Sequence, residues 1–439
     1  MDNYSSQRGW LWLLTACLLG AMGCPRRQPS EQVSPPEKVV LTFWHIQSYE
    51  PTQSVMQHAV ERFEAAHPQV QVEVVPYEQN LYKDKLRTAM GSRNPPDVFH
   101  TWGGGVLASY AAEGKVYELT EALQEDNWQT QFLPAALRFC ADPARKEPHY
   151  YAVPLDIGVV PVWYNRDLFA RYEIEVPHTF AELKEICRKL KAAGLIPFAL
   201  GNRDKWPGAF FFIYFANRWG GGAPIEQALS GEGAFTHESF IRAGELVQEL
   251  AAWEAFPQGF NGLTVDLAQN LFFNGRAAMM LMGSWLLARA QTEAPVGFLE
   301  KLDCFPFPQV EGGRGDPTNL VGGVNAAYAI STACTHKDLA VALLKELTSE
   351  ATAREWVATG RLCALTYDFS EADIPAPARK VLALLRQAQD IQLYYDQYLP
   401  PRLAEMHKDT THALFAGTMT PQEAAAEMEK TAREERGTS

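Results

Sequence analysis

The chain is short of positive charge. It carries 39 Lys and Arg against 52 Asp and Glu in 439 residues, a net charge of −13. A large nucleic-acid footprint needs a basic face, so this balance argues against that class of partner. There is no C-x-x-C, and the seven cysteines are an odd number spread along the chain. Such a pattern is neither a disulfide framework nor a zinc site. G-x-S-x-G and H-E-x-x-H are missing as well, so neither a nucleophile elbow nor the common zinc-hydrolase helix is present. No P-loop occurs: Val116 follows Gly114-Lys115, and Ser109 stands where the first glycine belongs. His407 and His412 are five apart, a spacing that leaves one helical face and makes a poor metal pair. These gaps leave no catalytic residue, no metal site and no cofactor to name. Paired carboxylates leave no sequence signature, so a glycoside hydrolase stays open as the enzymatic alternative.

Long apolar runs are also scarce. One stands at the N-terminus, Gly9 to Gly23 behind Arg8. It is shorter than the roughly 20 residues that span a bilayer and sits where a secretory signal belongs. Two cysteines are candidates for a lipid anchor. Cys24 closes the full apolar run in AMGC and precedes the polar stretch PRRQPSEQVSPPEK, whereas Cys17 in LTAC has the better small-residue box but leaves an apolar mature end. Cys24 is the expected anchor and Cys17 the alternative. Residues 1–24 then read as a lipoprotein signal peptide and 25–37 as a disordered tether.

The rest alternates strand and helix patterns. KVVLTFW reads as a strand, TQSVMQHAVERFEAAHP as a helix with Val55, Met56, Ala59, Val60 and Phe63 on one face, and VQVEVVP as a strand of period two. That is a βαβ unit, which implies a parallel sheet. DVFH, VVPVWYN and LIPFAL read as further strands. Capping boxes open two later helices, Thr179 with Glu182 and Thr420 with Glu423. Cys187 falls on an apolar helix face and reads as core. The length calls for two domains or two lobes.

Five separated stretches resemble, in order, segments of one family: PPDVFHTWGGGVLASYAAEGKVYELT, YAVPLDIGVVPVWYNRDLF, FFNGRAAMMLMGSW, VGGVNAAYAIS and TPQEAAAEM. The family is that of the extracellular solute-binding proteins of ABC importers, family 1, the maltose-binding-protein-like branch. The resemblance implies an α/β fold of two lobes, each a central sheet flanked by helices, with three interlobe crossings and a hinge that closes over ligand. It implies an N-terminal lobe of 38–155 and 308–350 and a C-terminal lobe of 156–307 and 351–439. It also implies a non-enzymatic protein that captures a carbohydrate, expected to be a short oligosaccharide, and hands it to an ABC permease. The expected setting is the cell envelope, extracytoplasmic, with a monomer held on the membrane by lipid. A binding protein for a non-sugar solute is the other alternative.

Sugars present apolar C–H faces and a rim of hydroxyls, so rings and polar side chains at the carboxyl ends of strands are the candidate contacts. Trp285, in GSW, is the position where the family places a stacking aromatic. Trp206 follows LIPFAL and the polar run Asn202, Arg203, Asp204. Trp102 and the bare backbone from Gly103 follow DVFH. Trp44, His45 and Gln47 end the first strand, Trp44 reading equally as core. Asp156 is read either as a ligand contact or as a pairing group at the hinge, and Asn325 lies in VGGVN.

Overall fold

The computed structural model describes residues 38–437 apart from 144 and 146. The segments 1–24 and 25–37, with Cys17 and Cys24, lie outside the described residues. Eleven strands are present among those described: β1 (Val39–His45), β2 (Val70–Pro76), β3 (Val98–Thr101), β4 (Val153–Val159), β5 (Val162–Asn165), β6 (Ile196–Phe198), β7 (Ala277–Leu281), β8 (Leu302–Phe305), β9 (Leu320–Ile330), β10 (Leu362–Cys363) and β11 (Ile391–Leu393). They form two sheets. The first runs β10-β4-β9-β3-β1-β2, with β11 also on β9, and the second runs β6-β7-β5-β8.

The opening βαβ unit forms because its two periodicities agree. Val39 pairs with Val70 in parallel register, and the helix Thr52–Ala66 buries Val55, Met56, Ala59, Val60 and Phe63. Those side chains share one core with Leu41, Phe43, Val70 and Val72. The sheet is mixed rather than parallel throughout, since β9 runs antiparallel to both β3 and β4. Both capping boxes form. The Thr179 hydroxyl accepts the Glu182 N–H at 3.2 Å and the Glu182 carboxylate accepts the Thr179 N–H at 3.1 Å. The Thr420–Glu423 pair repeats this at 3.2 and 2.8 Å. Cys187 is buried, 1% exposed. No helix among the described residues is long and apolar enough to cross a membrane.

VVPVWYN is not one strand. β4 ends at Val159 in the first sheet and β5 begins at Val162 in the second. Pro161 lacks the N–H that a continuous ladder needs, and the chain changes sheet there. It returns between Phe305 and Leu320 and leaves again after Cys363, coming back once more as β11 on β9. Two of the expected lobe limits therefore differ from the packing. Phe307 and Val310 belong to the second core, so the return lies beyond 308. Ala353, Trp356 and Leu365 pack in the first core, and β10 pairs with β4, so residues just after 350 stay with the first sheet.

Candidate functional site

A cavity of about 460 Å³ opens between the two sheets, within the ~300–1,000 Å³ typical of small-molecule sites. Its aromatic side comes from helix starts beyond strand ends. Trp206 opens the helix Trp206–Gly220 after β6, with Phe210 one turn on. Trp285 precedes the helix Leu286–Glu293 after β7. Trp206 lies 6.2 Å from Trp285, Phe210 lies 6.1 Å from Trp285 and 5.7 Å from Tyr394, and Trp285 lies 6.2 Å from Tyr394, ring centre to ring centre. Tyr394 is fixed by donating its hydroxyl to the Gly158 carbonyl at 2.9 Å. Gly283 lets the Trp285 ring fold back: a Cβ there would stand 2.0 Å from it.

The opposite side carries Trp102, packed edge-on to His100 at 4.6 Å with the Lys83 ammonium 5.0 Å from its ring centre. Gln47, Asn325 and Arg361 line the same cavity. Gln47 is 1% exposed, and its Nε2 has no protein partner. The Gln269 and Gln397 side chains, also lining the cavity, each hold a buried oxygen without one. Buried polar atoms are normally paired, so these three amides keep hydrogen-bonding capacity that no protein group takes up.

Formal charges at the cavity arrive already compensated. Lys83 pairs with Asp396 at 3.1 Å. Arg289 pairs with Asp266 and with Glu293, and stands over the Tyr49 ring at 5.2 Å. Arg203 lies 3.6 Å from Asp204. Glu78 accepts the backbone N–H groups of Asn80 and Leu81 at 3.0 and 3.2 Å. Arg361 donates to Asp156, both almost fully buried. Burial pushes the Asp156 carboxyl up to about 6; contact with Arg361, helped by nearby Trp356 and Asn325, opposes the rise without cancelling it.

Of the side chains singled out in the sequence, Trp102, Trp206, Trp285, Gln47, Arg203, Asp204 and Asn325 come together around the cavity. Five others do not line it. Trp44 packs on Tyr77, ring centres 4.9 Å apart. His45 is 1% exposed and accepts the Gln47 N–H on Nδ1 at 3.0 Å. Asn202 is fully buried, accepts the Gly208 N–H at 3.0 Å and donates to Asn261 at 2.7 Å, so it shapes the turn that delivers Trp206. Asp156 sits behind Arg361 as its counter-ion. Gly103 has φ 73°, and a Cβ there would meet the Phe139 carbonyl at 2.4 Å. The glycines of HTWGGG thus admit backbone, not ligand. At Gly104 and Gly105 the added Cβ would stand 2.5 Å from the carbonyls of Gln397 and Leu399.

Tyr49, Phe210, Asp266, Gln269, Arg289, Arg361, Asp396 and Gln397 were not anticipated. Asp266 had a local signal, because Thr264 caps the helix Val265–Phe273 whose first turn reaches the cavity. Arg361 had none, since it reaches the cavity only through the pairing of β10 with β4.

Comparisons with known proteins agree with this architecture. An uncharacterised ABC-transporter extracellular-binding protein from Pyrococcus horikoshii is 29% identical over 231 residues, about half the length of each chain, 51% of both. The melibiose/raffinose/stachyose-binding protein of Bacillus subtilis is 23% identical over 93% of this chain and 92% of its own. A solved structure from work on xylan utilisation by the thermophilic bacterium Caldanaerobius polysaccharolyticus superposes with a TM-score of 0.84 at 30% identity, over 89% of this chain and 99% of that one. Residues 48–354 match the model of the bacterial extracellular solute-binding proteins. With two sheets, a cavity between them and that match over most of its length, the chain belongs to the bacterial extracellular solute-binding protein family.

Proposed function

We propose that this chain is the substrate-binding component of an ABC importer. It holds an uncharged saccharide, a short oligosaccharide, between its lobes and presents it to a membrane permease. The observation that carries this reading is a cavity with connected aromatic rings on one side, unpaired amides around it, and ionic groups that already neutralise one another. Rings cover the C–H faces of a sugar and amides take its hydroxyls. A phosphate or other strong anion would call for uncompensated cations, whereas Arg203, Arg289 and Arg361 each face a carboxylate. The names of similar proteins point the same way. Within this reading the first lobe is built on 38–159 and 320–369, with β11 added to its sheet, and the second on 160–319 and the rest of the chain. Lipid attachment through Cys24, with Cys17 the alternative, an extracytoplasmic position and a monomeric state complete the proposal.

Thermal-shift titration with melibiose, raffinose, stachyose, maltotriose and xylotriose tests it. A bound sugar at a hundred times its Kd adds about 2.7 kcal/mol to the folded state, and no shift with any sugar refutes the assignment. Release of shorter products from those oligosaccharides would identify a hydrolase instead.

A further inference from the structure

We propose that Arg361 is the specificity-determining residue of the cavity, presenting a fixed guanidinium edge to a pair of neighbouring hydroxyls on the saccharide, and that Asp156 is its positioning residue. The inference rests on the reading of the cavity as a saccharide site. Arg361 lines the cavity yet is only 5% exposed. A guanidinium has five N–H donors in a rigid fork. Among the described residues, the only side-chain hydrogen bond of Arg361 goes to the Asp156 carboxylate, and its Nε–H has no partner. Its plane is held a second time by the Trp356 ring, 4.9 Å away. One N–H is therefore held on Asp156 and one face is covered, while the guanidinium of this cavity-lining residue keeps further donors that no protein group takes.

The other cations there are differently placed. The Arg203 side chain is 60% exposed, and Arg289 spends its donors on Asp266 and Glu293. The backbone explains how Arg361 is aimed. Asp156 sits in β4 opposite Cys363 of β10, two residues after Arg361. The carboxylate thus lies behind the arginine, on the strand that continues toward the crossing at Val160–Pro161. A buried ion pair contributes little to stability, since desolvation offsets attraction, so stability alone does not account for this one. With its charge matched by Asp156, the guanidinium acts on the ligand as an oriented donor pair. Two parallel N–H groups fit two adjacent hydroxyl oxygens, and a sugar lacking either would leave a buried donor unpaired.

Isothermal titration calorimetry of the full chain against raffinose, stachyose and xylotriose identifies the tightest of these three probes. Arg361→Lys keeps a cation against Asp156 and should fold; the double variant Arg361→Gln/Asp156→Asn removes both charges together. Each should weaken that probe by about 10- to 100-fold. Asp156→Asn alone should weaken it by about tenfold, with the ligand-free circular-dichroism spectrum retained. Monodeoxy derivatives of the probe supply the readout that a structural role would not move. Where the missing hydroxyl is the one Arg361 contacts, wild type and Arg361→Lys should bind equally, whereas at other positions the ratio of their Kd values should persist. Unchanged affinity in the folded variants, or a loss that is the same for every deoxy derivative, overturns the assignment of Arg361. Failure of the wild type to bind any of the three probes overturns the saccharide reading itself.

Discussion

The two sides of the cavity are built on different principles. The side from the second sheet is a run of rings, Trp206, Phe210 and Trp285, joined by Tyr394 from the end of β11, half-buried or buried and touching one another. The side from the first sheet has two separate rings, Trp102 and Tyr49, and otherwise polar groups anchored from behind: Gln47 by its backbone N–H on His45, Arg361 on Asp156. Rings at helix starts sit on the cavity surface and pack on two cores at once, so they tolerate a ligand on their open face. Polar groups need partners in the interior, and the first sheet supplies them at the expense of buried imidazoles and a buried ion pair. Recognition is thereby divided, with contact area coming from the second side and direction from the first.

Trp102 is where the division is weakest, and it carries the largest expected effect. Being 8% exposed, it behaves as core as well as lining. Trp102→Ala should cost about 3–5 kcal/mol of stability in addition to affinity. A calorimetric melt close to wild type would move it to the same class as the opposite rings.

Acid should also separate the sides. Burial lowers the His45 imidazole to about 3, and burial also holds the neighbouring His100 well below its ordinary value. Such groups favour the folded state above their ordinary value near 6.5, and that contribution is lost as pH falls toward the folded value. Between pH 7 and pH 4 the His45 term amounts to about 3 kcal/mol. His45→Phe should therefore lose about that much less stability than wild type over the interval, measured by urea unfolding at each pH. Equal losses would show that His45 is not held neutral. In the second half, His407, lowered to about 4, is the buried counterpart.

The ring side is tested by Trp285→Ala and Trp206→Ala. An aromatic anchor is worth about 2 kcal/mol or more, roughly thirtyfold in Kd. Titration of the tightest-binding sugar should show that loss with a smaller change in ligand-free melting than Trp102→Ala produces. The opposite ranking would exchange the roles of the two sides. The smallest effect belongs to the bridge between them. Lys83 reaches from the helix Gln79–Met90 to Asp396 and is about one-quarter exposed. Lys83→Met should change affinity by no more than about fivefold, an effect that shrinks further as salt is raised.

Much of the first half was legible along the chain. β1, β2 and the helix between them follow from alternation and 3.6-residue spacing, which are local properties. The same holds for Trp206, because a ring just past a strand end lands at a sheet edge wherever the sheet goes; Trp285 was indicated only by the family resemblance. Legibility failed where a residue's role depends on a distant segment. Asn202 looked like a ligand contact but caps the start of the next helix through Gly208. Gly103 to Gly105 looked like open backbone, but their space is filled by Phe139, Gln397 and Leu399. VVPVWYN looked continuous, because period and composition do not reveal that Val159 and Val162 serve different sheets.

By itself, then, the sequence determined the alternation of strands and helices, the capped helix starts, the missing catalytic and metal motifs, and which rings stand at strand ends. Each is set by neighbours within a few residues, through backbone sterics, side-chain period and capping. Only the tertiary structure decided that Arg361 meets Asp156, that Tyr394 joins the rings and that the triple glycine admits a carbonyl backbone. Those outcomes join segments as much as 294 residues apart, Gly105 with Leu399. They follow from which strands share a sheet, and no local spacing encodes that choice.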